Sequence, residues 1–456
     1  MKISIYSLMA FFFAFLLVSC EDDNASNPSF DEDELPKIYM DWAATYVYGL
    51  GDEVKFSAIV SPNDGAKCRW LVDNQVISET TDISYIVNSP DAFTLRFEVE
   101  RGGLTNFRTA QITVVKPFTP KTYDKVVMGV LTTEGTTGQV QWDNITHLMI
   151  TSLQVDEVSP TLKLPDATSL ARLKTLASLA HNEGVYVLID IAGPMNVISG
   201  VGGYNQTALN KVAIDPVMRA LLIANIKAFV EEYDLDGVNI SMNSANNDFG
   251  GLEDPEGIAQ FMKELGEAFP SQHEGERGTY FVTASIPMLW NNIPQYAYLG
   301  TVDRLDWVNM MLFGGTDLSP VQHSANWQIN DNLAKFETAG IPRSKALIGV
   351  GAFGVKYDIP AGVSPTWGTI DSYLSYLLYK DIVNMAADAA HKDMLQTGGS
   401  TIYYTGIGNT SDTNVASKAA LVKASNAKGM FIWTMDYDTQ DVTKSLTKAI
   451  YDEMNP

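Results

Sequence analysis

The sequence predicts a (β/α)8 TIM barrel preceded by a small all-β, immunoglobulin-like sandwich. Three observations carry that reading. At 456 residues the chain is too long for one ordinary core. Residues 37–116 form short period-two runs split by turn residues, the pattern of a sandwich. Beyond a proline-stiffened stretch, residues 123–456 alternate eight apolar strand-length runs with amphipathic helices.

The elements follow in order. Lys2 precedes a short apolar run through Phe15-Leu16-Leu17-Val18, too short to span a bilayer, so residues 1–19 read as a signal peptide. Leu17-Val18-Ser19-Cys20 resembles the bacterial lipobox, which implies lipidation at Cys20. Glu21-Asp22-Asp23 resembles the acidic tag that carries Bacteroidetes-type lipoproteins to the outer leaflet. The expected location is therefore the outer membrane, facing the exterior. Residues 20–36 are acidic and poor in apolar residues, and read as a solvated tether.

Sandwich strands are expected at Glu53–Val60, Cys68–Val72, Phe93–Val99 and Ala110–Val115, with Asp64-Gly65, Asp73-Asn74 and Gly102-Gly103 as turns. With the Trp70 strand and the closing Ile112-Thr113-Val114, this module resembles a PKD-type or immunoglobulin-like domain and carries no catalytic constellation. Cys68 shares a face with Trp70 and reads as a small hydrophobe. Residues 117–122 are the linker, stiffened by Pro117 and Pro120.

Barrel strands are expected at Val126–Thr132, Thr146–Leu153, Val185–Ile191, Gly237–Met242, Tyr280–Ile286, Trp307–Phe313, Ala346–Val350 and Gly429–Trp433. Asp215-Pro216 and Asp254-Pro255 are N-cap and first-turn proline pairs that open helices. The first places Leu222, Ile226, Phe229, Val230 and Tyr233 on one face; the second does so with Ile258, Phe261, Met262, Leu265 and Phe269. Another helix runs from Leu170 to Asn182 and ends at Gly184. Gly349-Val350-Gly351-Ala352-Phe353-Gly354 matches a dinucleotide fingerprint, but Pro360 and Pro365 follow and no helix is predicted to open there.

Composition excludes several classes. The formal charge of −23 leaves no basic stripe for nucleic acid and favours a neutral ligand. Five scattered histidines and two cysteines form no metal-ligand pattern, so no metal or other cofactor is expected.

The most informative stretch is Asp236-Gly237-Val238-Asn239-Ile240-Ser241-Met242-Asn243. Strand alternation puts Asn239, Ser241 and Asn243 on one face, a polar row where a buried parallel strand normally runs apolar. Each of those groups needs a partner. The stretch resembles D-G-x-D-x-D-x-E, the fourth-strand motif of family 18 glycoside hydrolases, the chitinases and endo-β-N-acetylglucosaminidases. Further echoes lie in order along residues 123–456. Ile145-Thr146-His147-Leu148 resembles the second strand. Val185 to Gly193 resembles the third, which in the family ends in Ser-x-Gly-Gly. Leu305-Asp306-Trp307-Val308-Asn309-Met310-Met311-Leu312-Phe313-Gly314 resembles the sixth, D-x-x-N-x-M-x-Y-D. Gly429 to Asp436 resembles the eighth, whose Trp, here Trp433, floors the central sugar subsite.

The departures from the family pattern set the function. In the resembling enzymes the motif Glu protonates the glycosidic oxygen and the preceding Asp orients the substrate acetamide, an exception to the paired-carboxylate scheme. Here those positions are Asn243 and Ser241, the inner Asp is Asn239, and the Tyr-Asp pair of the sixth strand is Phe313-Gly314. An amide has no proton to give near neutral pH. Loss of a general acid alone costs about 10²- to 10⁴-fold.

The resemblance therefore implies a pseudo-enzyme that binds N-acetylglucosamine-containing glycans, such as N-glycans or chitin-like oligosaccharides, at the cell surface. Such proteins accompany glycan-import complexes. Expected ligand contacts are Asn239, Ser241, Asn243, Trp433, Trp290, Asn309, Met311 and Phe313, with Trp327, Trp367, Tyr403 and Tyr404 as loop residues that extend the cleft. Two other functions stay open. One is an active glycosidase using displaced carboxylates among Glu134, Asp190, Asp248 and Glu253. The other is a structural or adhesion protein with a closed barrel.

Overall fold

The computed structural model describes residues 34–89, 91–115, 118–156, 159–193, 195–198, 201–204, 206–241, 255–269, 280–287, 293–313, 324–366, 369–408 and 414–456. The chain divides into two compact units between Val114 and Val115. Cys20 lies outside the described residues.

The first unit is all-β. A five-stranded sheet is ordered Thr45–Gly49, Leu104–Val115, Phe93–Arg101, Lys67–Val72, Gln75–Ser78, beside two two-stranded sheets. Its core centres on Trp70, fully buried and 4.7 Å centroid to centroid from Phe97, with Phe56 at 6.0 Å and Trp42 at 6.1 Å. Cys68 is half-buried against that core.

The second unit is a closed parallel barrel of eight strands. They are β1 (Val126–Leu131), β2 (His147–Val155), β3 (Tyr186–Ala192), β4 (Gly237–Ser241), β5 (Phe281–Pro287), β6 (Trp307–Met311), β7 (Ala346–Gly351) and β8 (Gly429–Trp433). Each pairs with the next in this order, and β8 closes the barrel on β1. All eight lie where the apolar runs predict them, because buried parallel strands concentrate Val, Ile and Leu. The helices are α1 (Ala167–Asn182), α2 (Gln206–Ile214), α3 (Pro216–Glu232), α4 (Pro255–Ala268), α5 (Asn326–Thr338), α6 (Tyr379–Ile382), α7 (Val415–Ala424) and α8 (Leu446–Met454). Asp215 caps α3 through bonds from Val217 and Met218 N–H, and Asp166 caps α1, which starts at Ala167, three residues before the predicted Leu170. The predicted apolar faces of α3 and α4 are buried.

Two features departed from the sequence reading. Strands Met195–Ile198 and Val201–Tyr204 form a hairpin after β3. After β7 a four-stranded antiparallel sheet is inserted, ordered Leu374–Leu378, Phe353–Tyr357, Ser400–Tyr403, Met394–Thr397. Tyr403 and Tyr404, expected in loops, belong to this insertion: Tyr403 lies on its third strand and Tyr404 is fully buried just beyond. Trp327, also expected in a loop, stands exposed on α5. Gly349 to Gly354 runs from β7 into the strand Phe353–Tyr357, so no helix N-terminus meets those glycines.

The alternation along each strand sorts the barrel into two sets. Outward residues such as Val187, Ile189, Val238, Ile240, Val282 and Val308 join one large core with the helices. Inward residues Val126, Met128, Val130, Met149, Tyr186, Leu188, Phe281, Trp307, Leu347 and Phe431 form a second core within the barrel. Asp236, just before β4, ties the two layers together. Its Oδ2 accepts from Val187 N at 2.7 Å and contacts His181 Nε2, near the end of α1, at 2.8 Å, with all these groups buried. Asp236→Ala leaves a backbone N–H and an imidazole without their partner. We expect it to lower the barrel's stability by about 2–4 kcal/mol in chemical unfolding, with the first unit unaffected.

Candidate functional site

The barrel interior is built in three levels, which fix what the mouth can present. The lowest is an aromatic floor at the first residues of the strands. His147 lies 5.1 Å from Tyr186, 5.0 Å from Phe281 and 5.3 Å from Trp307. Its Nδ1 pairs with Thr146 Oγ1 at 2.8 Å, and burial pushes the imidazole down to about 3, so it is neutral.

Above the floor lies a polar level that connects β3, β4, β5 and β6. Asn239 Nδ2 donates to Asp190 Oδ1 at 2.6 Å and to Ser285 Oγ at 2.9 Å. Its Oδ1 accepts from Thr283 Oγ1 at 2.8 Å and from Asn309 Nδ2 at 2.9 Å. Asn309 Nδ2 also reaches Ser285 Oγ at 3.1 Å, and Asn309 Oδ1 accepts from Trp307 Nε1 at 2.9 Å. Ser241 Oγ donates to the second oxygen of Asp190 at 3.3 Å.

These bonds correct the sequence reading of two residues. The two amide hydrogens and two lone pairs of Asn239 are all engaged by the protein, and Asn309 has both hydrogens engaged; both side chains are fully buried. They build the support under the mouth and have no donor left for a ligand. Sequence reasoning missed Thr283 and Ser285. The signal that exposed Asn239 was present in them too, since two polar residues alternate inward on a buried parallel strand.

Asp190 is the carboxylate of this level. It is fully buried, and burial pushes it up to about 7 against the lowering effect of the Asn239 and Ser241 hydrogen bonds. Of the other displaced carboxylates considered, Glu134 is exposed after β1, and Asp248 and Glu253 lie outside the described residues.

The top level is the rim. Ser241 ends β4 and is 5 % exposed. Trp433 ends β8, is half-buried, and stacks with Phe313 at 5.8 Å and 29°. Phe313 turns its edge or face at right angles to Phe353 (6.0 Å, 87°) and lies 6.1 Å from Phe431. Phe353 in turn meets Tyr376, on the inserted sheet and half exposed, at 5.8 Å. Met311 is half-buried beside Phe313 and Trp433 in the interior cluster. Gly349 permits this packing: a Cβ there would stand 2.4 Å from Phe431 Cζ. Asn243, Trp290 and Trp367 lie outside the described residues. The structure thus brings together Ser241, Met311, Phe313 and Trp433 at the mouth, with Asn239 and Asn309 beneath them. Among the described residues no three His, Cys, Asp or Glu side chains converge as metal ligands.

A buried carboxyl with a raised pKa makes stability pH-dependent in a defined direction. Between its unfolded value near 4 and its folded value of about 7, the folded state holds the extra proton. Stability therefore falls as pH rises through that window and levels off above it. Asp190→Asn removes the titrating group, and urea midpoints measured across the window should lose a slope on the order of a few kcal/mol in total. An unchanged slope in the variant would assign the titration elsewhere.

Known proteins agree with this architecture. Residues 126–438 match the family Glycosyl hydrolases family 18. A probable endochitinase of Caenorhabditis elegans is 24% identical over 278 residues, covering 54% of this chain and 44% of that protein, so the chain spans less than half of that relative. Among solved structures, a chitinase from Bacteroides thetaiotaomicron superposes with a TM-score of 0.55 at 22% identity, covering 72% of this chain and 96% of that one. A plant class V chitinase mutant from Cycas revoluta in complex with (GlcNAc)3 gives 0.55 at 17%, covering 72% and 99%. A chitinase-like agglutinin from Robinia pseudoacacia gives 0.57 at 16%, covering 72% and 99%. With that match running from the first barrel strand to beyond the last, the chain belongs to glycosyl hydrolase family 18.

Proposed function

We propose that this chain is a non-catalytic glycan-binding member of its family, taking neutral N-acetylglucosamine-containing glycans at the mouth of the barrel. One observation carries the reading. The carboxylate held at the polar level, Asp190, is fully buried behind Ser241, while Trp433 remains half-open at the rim. A general acid must come within hydrogen-bond reach of the glycosidic oxygen. Position 243, where the family's acid belongs, is an asparagine, which has no proton to supply. An indole face and small polar groups are what sugar recognition needs, and neither requires ionisation. That an agglutinin shares the fold, and that a plant relative holds (GlcNAc)3, supports the same reading.

The remainder of the proposal concerns the cell. Cys20 is the lipid attachment point, residues 20–36 the tether, and residues 37–116 an immunoglobulin-like spacer ahead of the barrel in the chain. The protein is thereby an outer-membrane lipoprotein on the cell exterior that serves a glycan-import complex.

The test pairs calorimetric binding across a glycan panel with an overnight product assay by mass spectrometry. Saturable binding without product is expected. Released product would establish an active glycosidase with displaced carboxylates, and neither binding nor product would leave a structural or adhesion role. Trp433→Ala should weaken binding about 30-fold, the effect of truncating a central Trp anchor, in a protein that melts at a lower temperature but still unfolds cooperatively. Asn243→Glu alone should restore no hydrolysis, because the groups at 241, 313 and 314 that orient an acetamide in the family are absent too.

A further inference from the structure

Asp190 has no counterpart among the other inward positions of the strands. The described inward residues of β1, β2, β4, β5, β6, β7 and β8 include no carboxylate. Among the described residues its partners are neutral. β2 faces it with Thr151 and Ser152 at a bulge between Ile150 and Leu153, β4 bonds to it through Asn239 and Ser241, and Thr283, Ser285 and Asn309 of β5 and β6 stand one bond further, on Asn239. The titratable rings on β2 and β3 are His147 and Tyr186, which belong to the floor, and His147 is neutral. Among the described residues no cation compensates the carboxylate.

The direction of the Ser241 bond gives this charge an outlet. Ser241 has one hydrogen, and it is donated to Asp190 Oδ2. What Ser241 then offers the barrel mouth is oxygen lone pairs, made more basic by the carboxylate behind them, as chained hydrogen bonds polarise one another. If Asp190 is protonated instead, its O–H donates to Ser241 and that basicity is lost. A ligand group with a hydrogen to give, above all the N–H of an acetamide, distinguishes the two states.

We infer that Asp190 is a specificity-determining positioning residue, which acts through Ser241 to make a charge-backed acceptor for an acetamido N–H, so that binding an N-acetylated saccharide ionises Asp190 and releases its proton. This rests on the binding function proposed above. Ser241 stands where the family resemblance places an Asp, so the charge of Asp190 lies one hydrogen bond behind that position. Because burial holds the carboxyl near neutrality, both of its forms are within reach of a ligand's influence.

The test uses the full chain, calorimetry, and two probes: the N-acetylglucosamine trisaccharide and the matching glucose trisaccharide. Titrations run at about pH 5.5 and about pH 8.5, and near pH 7 in buffers of different ionisation enthalpy. For the N-acetylated probe, affinity is expected to rise about tenfold with pH, and binding near pH 7 to release a fraction of one proton. The glucose probe should show neither effect. Asp190→Asn should bind the N-acetylated probe about tenfold more weakly at the higher pH, with no pH dependence and no proton release. Ser241→Ala leaves the carboxylate in place but breaks the relay, and it too should abolish proton release; it serves if the Asp190 variant fails to fold. Binding without proton release in the wild type, or an unchanged pH profile in a folded variant, overturns the inference alone. Absence of binding to either probe at any pH overturns the binding function as well.

Discussion

The 2.6 Å hydrogen bond from Asn239 Nδ2 to Asp190 Oδ1 is what lets a carboxylate stand inside this barrel. A buried charge without a cation is expensive unless donors surround it. Asn239 supplies one and Ser241 a second. Asn239 can aim its amide only because Thr283 and Asn309 hold its oxygen, and Asn309 is itself held by Trp307 Nε1 from the floor. The chain of constraint therefore runs from the aromatic floor to the rim. An aspartate at 239 would set two carboxylates against each other with no cation among the described residues to separate them, so the neutral residue on β4 and the acid on β3 depend on one another.

The fold does not depend on the catalytic acids the family places here. The outward faces of the strands pack on the helices, the inward floor is aromatic, and Asp236 secures the entry to β4 through His181 and Val187. None of these contacts passes through position 241. A barrel held together in this way tolerates change at its C-terminal mouth, which is why this architecture hosts diverse chemistry on one frame.

The eight strands and the apolar faces of α3 and α4 were legible in the sequence because period-two and period-3.6 patterns survive wherever one face is buried. The inserted sheet after β7 was not. Its outer strand Leu374–Leu378 is largely half-buried or exposed, so no clean alternation marks it. At the site, sequence reading found that Asn239 and Ser241 face inward and that Asp190 lies on the neighbouring strand. It could not give the register that sets Asp190 opposite Asn239, because register between strands comes from closure of the whole barrel. The residues read as open ligand contacts on β4 and β6 were for that reason partly misassigned: Asn239 and Asn309 satisfy one another.

Phe313 sharpens what the mouth can recognise. Where the family resemblance has a tyrosine, this chain has a ring with no hydroxyl, stacked 5.8 Å from Trp433. A phenyl ring can shape an apolar wall but cannot donate to or accept from an acetamide. On the proposed binding function, polar recognition turns to groups such as Ser241 at the end of β4, which bonds to the buried carboxylate of Asp190. The aromatic line from Trp433 through Phe313 and Phe353 to Tyr376 supplies shape on the other side. On the proposed binding function, an apolar wall and a charge-backed acceptor at one mouth discriminate by hydrogen-bond donors on the ligand. A buried acceptor left unpaired costs more than a missing apolar contact, so this division makes selectivity steeper than affinity.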